Sequence, residues 1–364
     1  MFYRWVMKPV LFQFDPEMVH NRISLIGQLS GAFPPARWFF SMCFRVRSPS
    51  LEQKLWGLEF TNPLGIAAGY DYEARLTTTM PSVGFGFGSV GTLTYSAYGG
   101  NPRPLLGRLP KSRSLMVNKG YKNDGVKATL GRLSKNRFAY PLGVSIGVTN
   151  DSRINTQLLA VSDILKGFKE AEVSGVPFSY YELNVSCPNL STPVDFYNSH
   201  HLSELLSALK ELNLSRPVFV KMPISKSNEE IIAMVEVIVR FSFIKAVIIG
   251  NLQSDRNHPA LVKEEVQKFS VGNFSGLPTQ KRSDELIRIV FKRFGSRIRI
   301  IGCGGVFSAD DAYRKIALGA SLVQLVTGLI FEGPQIAGDI NRRLALRLKR
   351  EGKASIRELI GSAE

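Results

Sequence analysis

The sequence predicts an α/β protein of the (β/α)8 TIM-barrel class, with a small helical extension at its amino terminus. From residue 48 onward, eight short β-rich runs alternate with segments of helical periodicity. The runs show little alternation of polar and apolar residues, which is typical of parallel strands covered on both faces. The runs span residues 64–68, 86–91, 143–148, 180–185, 218–222, 246–250, 299–302 and 322–326, and the helical segments include 202–212, 229–239, 285–294 and 309–318. In such a barrel, ligands bind just beyond the carboxyl ends of the strands.

Composition narrows the classes of partner. The chain has 364 residues, 44% of them hydrophobic, and a net charge of +16 from 46 Lys and Arg against 30 Asp and Glu. A basic excess favours anionic partners such as a bilayer surface or acidic metabolites. No uninterrupted basic run and no interleaving of arginine with aromatic residues marks a nucleic-acid groove, so we expect no nucleic-acid partner.

Cysteine and histidine spacing argues against a metal site. Cys43, Cys187 and Cys303 are far apart, and the four histidines show no ligand spacing. Free cysteines suit a reducing compartment. The chain has no run of about 18 apolar residues and no signal-peptide pattern, so we expect a cytoplasmic protein without a membrane span.

Residues 1–47 differ in character from the rest of the chain. Aromatic and aliphatic side chains alternate there with arginine and lysine, and Asp15-Pro16-Glu17 begins a helix. This mixture predicts a helical extension that lies in the membrane interface. A helical cap packed on the barrel is the alternative, and both can hold. We expect residues 48–349 to form the barrel and 350–364 to form a polar tail without an assigned role.

Polar residues follow several predicted strands. Asn184, Cys187 and Asn189 crowd together in the turn after the fourth run, although an ordinary Asn/Pro turn would look similar. Ser145 lies near the end of the third run, where its side chain is expected to face the barrel mouth. Lys221 lies within an apolar strand, where a lysine is costly unless an anion is nearby.

Glycine-rich turns follow the last two predicted strands. Residues 302–305 read Gly-Cys-Gly-Gly, and Thr327-Gly328 follows the eighth run. Backbone N–H groups at these two strand ends commonly form a phosphate site. Together with Lys221, the pair of turns indicates a phosphorylated, electron-rich cofactor such as FMN.

Four segments carry a resemblance to a known family. Residues 62–69, 184–189, 302–305 and 319–324 resemble motifs of the dihydroorotate dehydrogenases, and the similarity extends over roughly residues 1–335. Residues 11–17 are similar to the membrane-associating extension of the quinone-dependent, class 2 members. The resemblance implies a barrel that binds FMN at its mouth, oxidises dihydroorotate to orotate in pyrimidine (UMP) biosynthesis, and passes electrons to ubiquinone or menaquinone. It also implies a peripheral membrane protein on the cytoplasmic face of the cell membrane.

The resemblance assigns roles residue by residue. In the cofactor site, Lys221 is expected near the flavin N1–C2=O region. The other implied FMN-binding residues are Ala67, Ala68, Gly69, Thr92, Ser145, Asn184, Gly250, Gly276, Gly304, Gly305, Thr327 and Gly328. The implied substrate-binding residues are Asn118, Tyr121, Asn184, Asn189 and Asn251. Cys187 is the implied base, removing a proton from C5 of the substrate while a hydride leaves C6. We expect polar surroundings to favour its thiolate form.

The chain departs from the family pattern at several of these positions. Tyr72 replaces a lysine that contacts substrate and flavin, Cys187 replaces the class 2 serine, and Ser145 replaces an asparagine. The chain is also one residue shorter after Asn118, and Gly250 and Leu252 replace threonines. Two alternatives therefore stay open. One is another FMN-dependent oxidoreductase of the pyrimidine or dihydrouridine type. The other is a catalytically inactive, membrane-attached flavin-binding protein.

Overall fold

A short helical region precedes the barrel. The computed structural model describes residues 2–191 and 193–363. Its first helices are α1 (Lys8–Leu11), α2 (Pro16–Ala32) and α3 (Pro34–Phe44), after a π-helical turn at Tyr3–Met7. The carboxylate of Asp15 caps α2 by accepting the Met18 N–H at 2.8 Å. Within the described residues, no helix is long and apolar enough to cross a bilayer.

The helical region presents many apolar side chains to solvent while its start is fastened to the barrel. The Tyr3 hydroxyl donates to the Ile330 carbonyl at 2.6 Å, and Arg4 pairs with Glu332 at 2.5 Å. The exposed large hydrophobic residues of this region are Phe2, Trp5, Val6, Met7, Val10, Phe14, Leu25, Ile26, Leu29, Phe33, Trp38, Phe39 and Met42. Such a concentration of exposed apolar side chains marks an interaction surface.

Eight parallel strands close into a barrel. The strands of the chain are β1 (Gln53–Leu55), β2 (Leu58–Phe60), β3 (Leu64–Ile66), β4 (Phe87–Leu93), β5 (Leu106–Leu109), β6 (Ser114–Val117), β7 (Leu142–Ile146), β8 (Tyr180–Asn184), β9 (Val218–Met222), β10 (Ile244–Ile249), β11 (Asn273–Gly276), β12 (Arg299–Cys303) and β13 (Ala320–Leu325). The barrel order is β3-β4-β7-β8-β9-β10-β12-β13, with β13 pairing back to β3. The β1–β2 hairpin closes the amino-terminal end, where Trp56 contacts Phe219 with ring centroids 4.7 Å apart.

Helices cover the outside of the barrel. After α3 the helices are α4 (Val126–Leu133), α5 (Gln157–Val173), α6 (Ser199–Lys210), α7 (Asn228–Ile238), α8 (Lys263–Val266), α9 (Gln280–Phe294), α10 (Ala309–Ala317), α11 (Thr327–Glu332) and α12 (Ile336–Arg350). Their apolar faces join the strands in one large core. Strands β5, β6 and β11 form a separate antiparallel sheet.

The predicted fold class is confirmed, and the eight predicted runs are the eight barrel strands, with ends that differ by at most two residues. The last residues, predicted as a polar tail, pack on the barrel through two apolar side chains. Ile356 and Leu359 are fully buried, and the Gly361 N–H donates to the Ile316 carbonyl at 3.2 Å. The side chains of Ile356 and Leu359, three residues apart, are thus buried together, and the segment is attached to the end of α10.

Candidate active site

A cavity lies at the carboxyl ends of the strands, where the sequence predicts the site. Together with its open mouth it has about 1210 Å³ of empty space. The predicted residues that line it are Ala67, Ala68, Gly69, Thr92, Tyr121, Asn184, Cys187, Asn189, Lys221, Gly250, Asn251, Gly276, Gly304, Gly305, Thr327 and Gly328.

Two predicted residues do not line this cavity. The amide of Asn118 donates to the Pro102 carbonyl at 3.0 Å and accepts from Asn101 at 3.1 Å. Ser145 is fully buried within the barrel instead of facing the mouth. The structure therefore places Asn118 behind the cavity wall and Ser145 beneath the cavity floor.

A buried polar network lies under the floor of the cavity. The Ser145 hydroxyl donates to Glu182 Oε1 at 2.9 Å and shares a 3.0 Å hydrogen bond with Thr92. Lys221 Nζ lies 3.9 Å from the same carboxylate oxygen. Glu182 is thus the anion that a lysine in an apolar strand requires.

The turn after β8 holds its amides in fixed orientations. Asn184 Nδ2 donates to Thr92 Oγ1 at 2.7 Å, and its Oδ1 accepts from the Ser186 hydroxyl at 2.8 Å. Asn251 donates to the Ser186 carbonyl at 2.9 Å, which joins this turn to the one after β10. Asn189 donates to the Val117 carbonyl at 2.9 Å. The turns after β8 and β10 thus bring three of the predicted substrate amides, Asn184, Asn189 and Asn251, together at the cavity.

Cys187 lies on the same wall as a buried thiol. Burial raises the pKa of Cys187 to about 11, although the Asn189 N–H, the Lys221 charge and Tyr121 oppose the shift. The expectation that polar surroundings favour the thiolate is therefore wrong, because desolvation of the anion outweighs its three stabilising neighbours. In this structure the thiol is protonated at neutral pH.

Glycine-rich turns leave backbone donors open to the cavity. Gly304 and Gly305 have φ values of 105° and 67°, which an L-residue with a side chain rarely adopts. A β-carbon added at Gly305 would lie 2.4 Å from Gln280 Cβ. The N–H groups of Gly305 and Val306 have no acceptor within residues 2–191 and 193–363. Unpaired N–H groups beside a glycine turn suit a phosphate group.

An aromatic and cationic rim closes the cavity on the side of α2. His20 stacks on Tyr72 with centroids 5.2 Å apart, and Lys119 Nζ lies 4.0 Å from the Tyr72 ring centre. Burial lowers the pKa of His20 to about 3, and the charges of Lys119 and Lys122 lower it further. His20 is therefore a neutral imidazole that connects the amino-terminal helices to the barrel mouth.

Sequence reasoning assigned no role to several of these residues. Glu182 could have been identified from the sequence, because a carboxylate within an apolar strand is as unusual as Lys221 within another. No sequence feature pointed to Lys119 or His20, because each lies on a loop or helix whose position beside the cavity mouth depends on tertiary packing. The pocket also includes Cys303, the last residue of β12.

The molecule is a (β/α)8 barrel whose mouth brings together a thiol, three amide side chains, a lysine and a glycine-rich turn with unpaired backbone N–H groups in the described residues. The sequence profile described as "Dihydroorotate dehydrogenase" matches residues 50–348. The chain therefore belongs to the dihydroorotate dehydrogenase family, whose members are flavin-dependent oxidoreductases.

Relatives match over nearly the full length. A dihydroorotate dehydrogenase (quinone) from Trichodesmium erythraeum is 34% identical over 381 residues, which cover 99% of this chain and 98% of that protein. One of the same name from Gloeobacter violaceus is 36% identical over 359 residues, with 98% of each chain covered. The crystal structure of the Eimeria tenella enzyme in complex with ferulenol superposes with a TM-score of 0.84 at 25% identity, covering 97% of this chain and 98% of that one. This chain is thus similar to quinone-class members through its amino-terminal helices as well as its barrel.

Proposed function

We propose that this protein oxidises (S)-dihydroorotate to orotate in the synthesis of UMP, using FMN, and passes the electrons to ubiquinone or menaquinone. The observation that carries the proposal is the set of groups that line the cavity. The lining combines a thiol, three asparagine side chains, a lysine from β9 and unpaired backbone N–H groups of the described residues, and His20 connects it to the apolar amino-terminal helices. The names of the full-length relatives support the same reaction.

The cavity has the donors that FMN requires. Lys221 offers a positive charge to the electron-rich end of the isoalloxazine ring, and Ala67, Ala68 and Gly69 leave space for a flat ring against the backbone. A β-carbon at Gly69 would meet no atom within 4 Å, so this stretch is open toward the cavity. The N–H groups of Gly305 and Val306 would hold the phosphate, with the hydroxyl of Thr327 nearby. When bound, FMN accepts the hydride from the substrate.

The protein's own residues supply positioning and the proton acceptor. Asn184, Asn189 and Asn251 would hold the pyrimidine ring through donors and acceptors. The Cys187 thiolate would take the proton from C5 of the substrate, and Lys221 would stabilise negative charge that develops on the cofactor. Because the thiol is mostly protonated at neutral pH, we expect proton abstraction to limit the reductive half-reaction.

The amino-terminal helices are proposed as the membrane contact and the quinone entrance. Their exposed Trp5, Trp38 and Phe39 would enter the acyl boundary while interspersed arginines contact lipid phosphates. We propose that residues 1–47 form this extension, that the barrel spans 48–349, and that the protein is peripheral on the cytoplasmic face of the membrane.

An anaerobic titration tests the function. The purified protein, loaded with FMN, is mixed with dihydroorotate without oxygen, and the flavin absorbance is followed. We expect bleaching, and we expect a short-chain ubiquinone to restore the colour. A flavin-loaded protein that is bleached by dihydrouracil but not by dihydroorotate would favour the other pyrimidine oxidoreductase, for which Tyr72 is the motivating residue. Failure to retain flavin would contradict the enzyme assignment.

A further inference from the structure

Lys119 lies at the rim of the cavity, and its ammonium forms no ion pair within residues 2–191 and 193–363. Its ammonium contacts the Tyr72 ring at 4.0 Å, and in the described part of the chain it has no carboxylate within 4.0 Å and no hydrogen-bond acceptor. The other two lysines that line the cavity each have a carboxylate nearby. Lys122 pairs with Glu17 at 2.5 Å, and Lys221 has Glu182 at 3.9 Å.

The nearest acidic residues are held by other cations. Glu17 is bound by Lys122 and also lies 3.6 Å from Arg103, and Glu73 pairs with Arg75 at 2.6 Å. Burial lowers the pKa of Lys119 to about 8; the carboxylates of Glu17 and Glu73 oppose this shift, and the charge of Lys122 adds to it. Lys119 is therefore still mostly protonated at neutral pH, and both carboxylates act on it from beyond ion-pair distance. A half-buried cation of this kind is stabilised when an anion enters beside it.

The backbone directs Lys119 into the cavity. The next two residues, Gly120 and Tyr121, both have positive φ values of 59° and 63°, and the Lys122 N–H donates to the Lys119 carbonyl at 3.2 Å. This tight turn holds Lys119 against the Tyr72 ring at the rim of the cavity.

We infer that Lys119 binds the carboxylate of dihydroorotate and orotate. The inference rests on the proposed function. Lys119 lines the same cavity as Cys187 and Asn189, so one ligand can reach all three. Tyr72 supports the ammonium through its ring face instead of providing a cation itself.

The test compares a charged ligand with a neutral one. Dissociation constants of orotate and of orotate methyl ester are measured by calorimetry on the FMN-loaded protein and on Lys119→Gln. We expect the variant to lose about 10- to 100-fold in orotate affinity, the range for a hydrogen bond to a charged group, with little change for the ester. Lys119→Arg should keep most of the preference.

Two further variants make the result specific. Lys127→Gln removes an equal charge from α4, where Lys127 is largely exposed and pairs with Glu170 at 3.2 Å, and should leave both constants unchanged. In the Lys119→Gln background, Tyr72→Lys should restore the preference for orotate. Retained flavin absorbance shows that each variant is folded.

The outcomes separate the two proposals. If the wild-type protein binds orotate and Lys119→Gln binds it equally well, the inference about Lys119 is overturned and the proposed function stands. If the wild-type protein binds neither ligand and dihydroorotate does not reduce its flavin, the proposed function itself fails. An equal loss for orotate and ester would show a steric effect and would also overturn the inference.

Discussion

The buried thiol of Cys187 predicts a steep pH dependence of flavin reduction. With a pKa of about 11, the thiolate makes up about one molecule in ten thousand at pH 7, and its share rises about tenfold per pH unit. If the thiolate is the base, the rate constant for reduction should rise about 100-fold between pH 7 and pH 9. The rate rises with pH because the Cys187 thiol must lose its own proton before it can accept one from the substrate.

Stopped-flow spectroscopy under anaerobic conditions measures this rate from the loss of flavin absorbance. The substrate must be saturating, because Lys119 has a pKa of about 8 and its deprotonation would weaken substrate binding over the same range. We therefore expect KM to rise above pH 8 while the limiting rate also rises. Cys187→Ala should lower the limiting rate at least about 100-fold at pH 9.

The result that would refute this reasoning is a limiting rate that stays flat between pH 7 and pH 9. A flat profile together with an unchanged Cys187→Ala variant would remove Cys187 from the reaction. A flat profile with an inactive Cys187→Ala variant would instead show that bound ligands bring the pKa of the thiol well below 7. Cys187→Ser serves as the matched control, since it keeps the size and polarity of the side chain but has a less acidic group, and should react more slowly at each pH.

The other predictions concern the floor, the phosphate turn and the membrane surface. Lys221→Ala leaves Glu182 as an unpaired buried charge and should lower the free energy of unfolding by about 3–5 kcal/mol in urea titrations. Adding Glu182→Leu to it should recover much of that loss, and a double variant no more stable than the single one would contradict the pairing. Gly305→Ala must adopt a positive φ and meets Gln280, so FMN retention after gel filtration should fall well below that of the wild type. Trp38→Glu should reduce sedimentation with anionic liposomes, whereas Leu158→Glu, an equally exposed apolar position on α5, should not.

The fold class and most of the cavity wall follow from the pattern of the chain. Strand runs without alternation, such as the one at β9, can only be stable when covered on both faces, so eight of them separated by helices predict a closed barrel. Because parallel strands end at one rim, the residues just after each strand had to meet there. This geometric constraint places Cys187, Asn251 and the glycines after β12 in one cavity without any knowledge of side-chain contacts.

The electrostatics of the site, in contrast, depend on how distant segments pack around it. Whether Cys187 is a thiol or a thiolate depends on how completely water is excluded around it, and that exclusion comes from segments distant in the chain. The pairing of Glu182 with Lys221 depends on the register of neighbouring strands, and the position of Lys119 over Tyr72 depends on two consecutive left-handed residues. Desolvation and charge pairing act through distances of a few ångströms, and those distances exist only once the chain has folded.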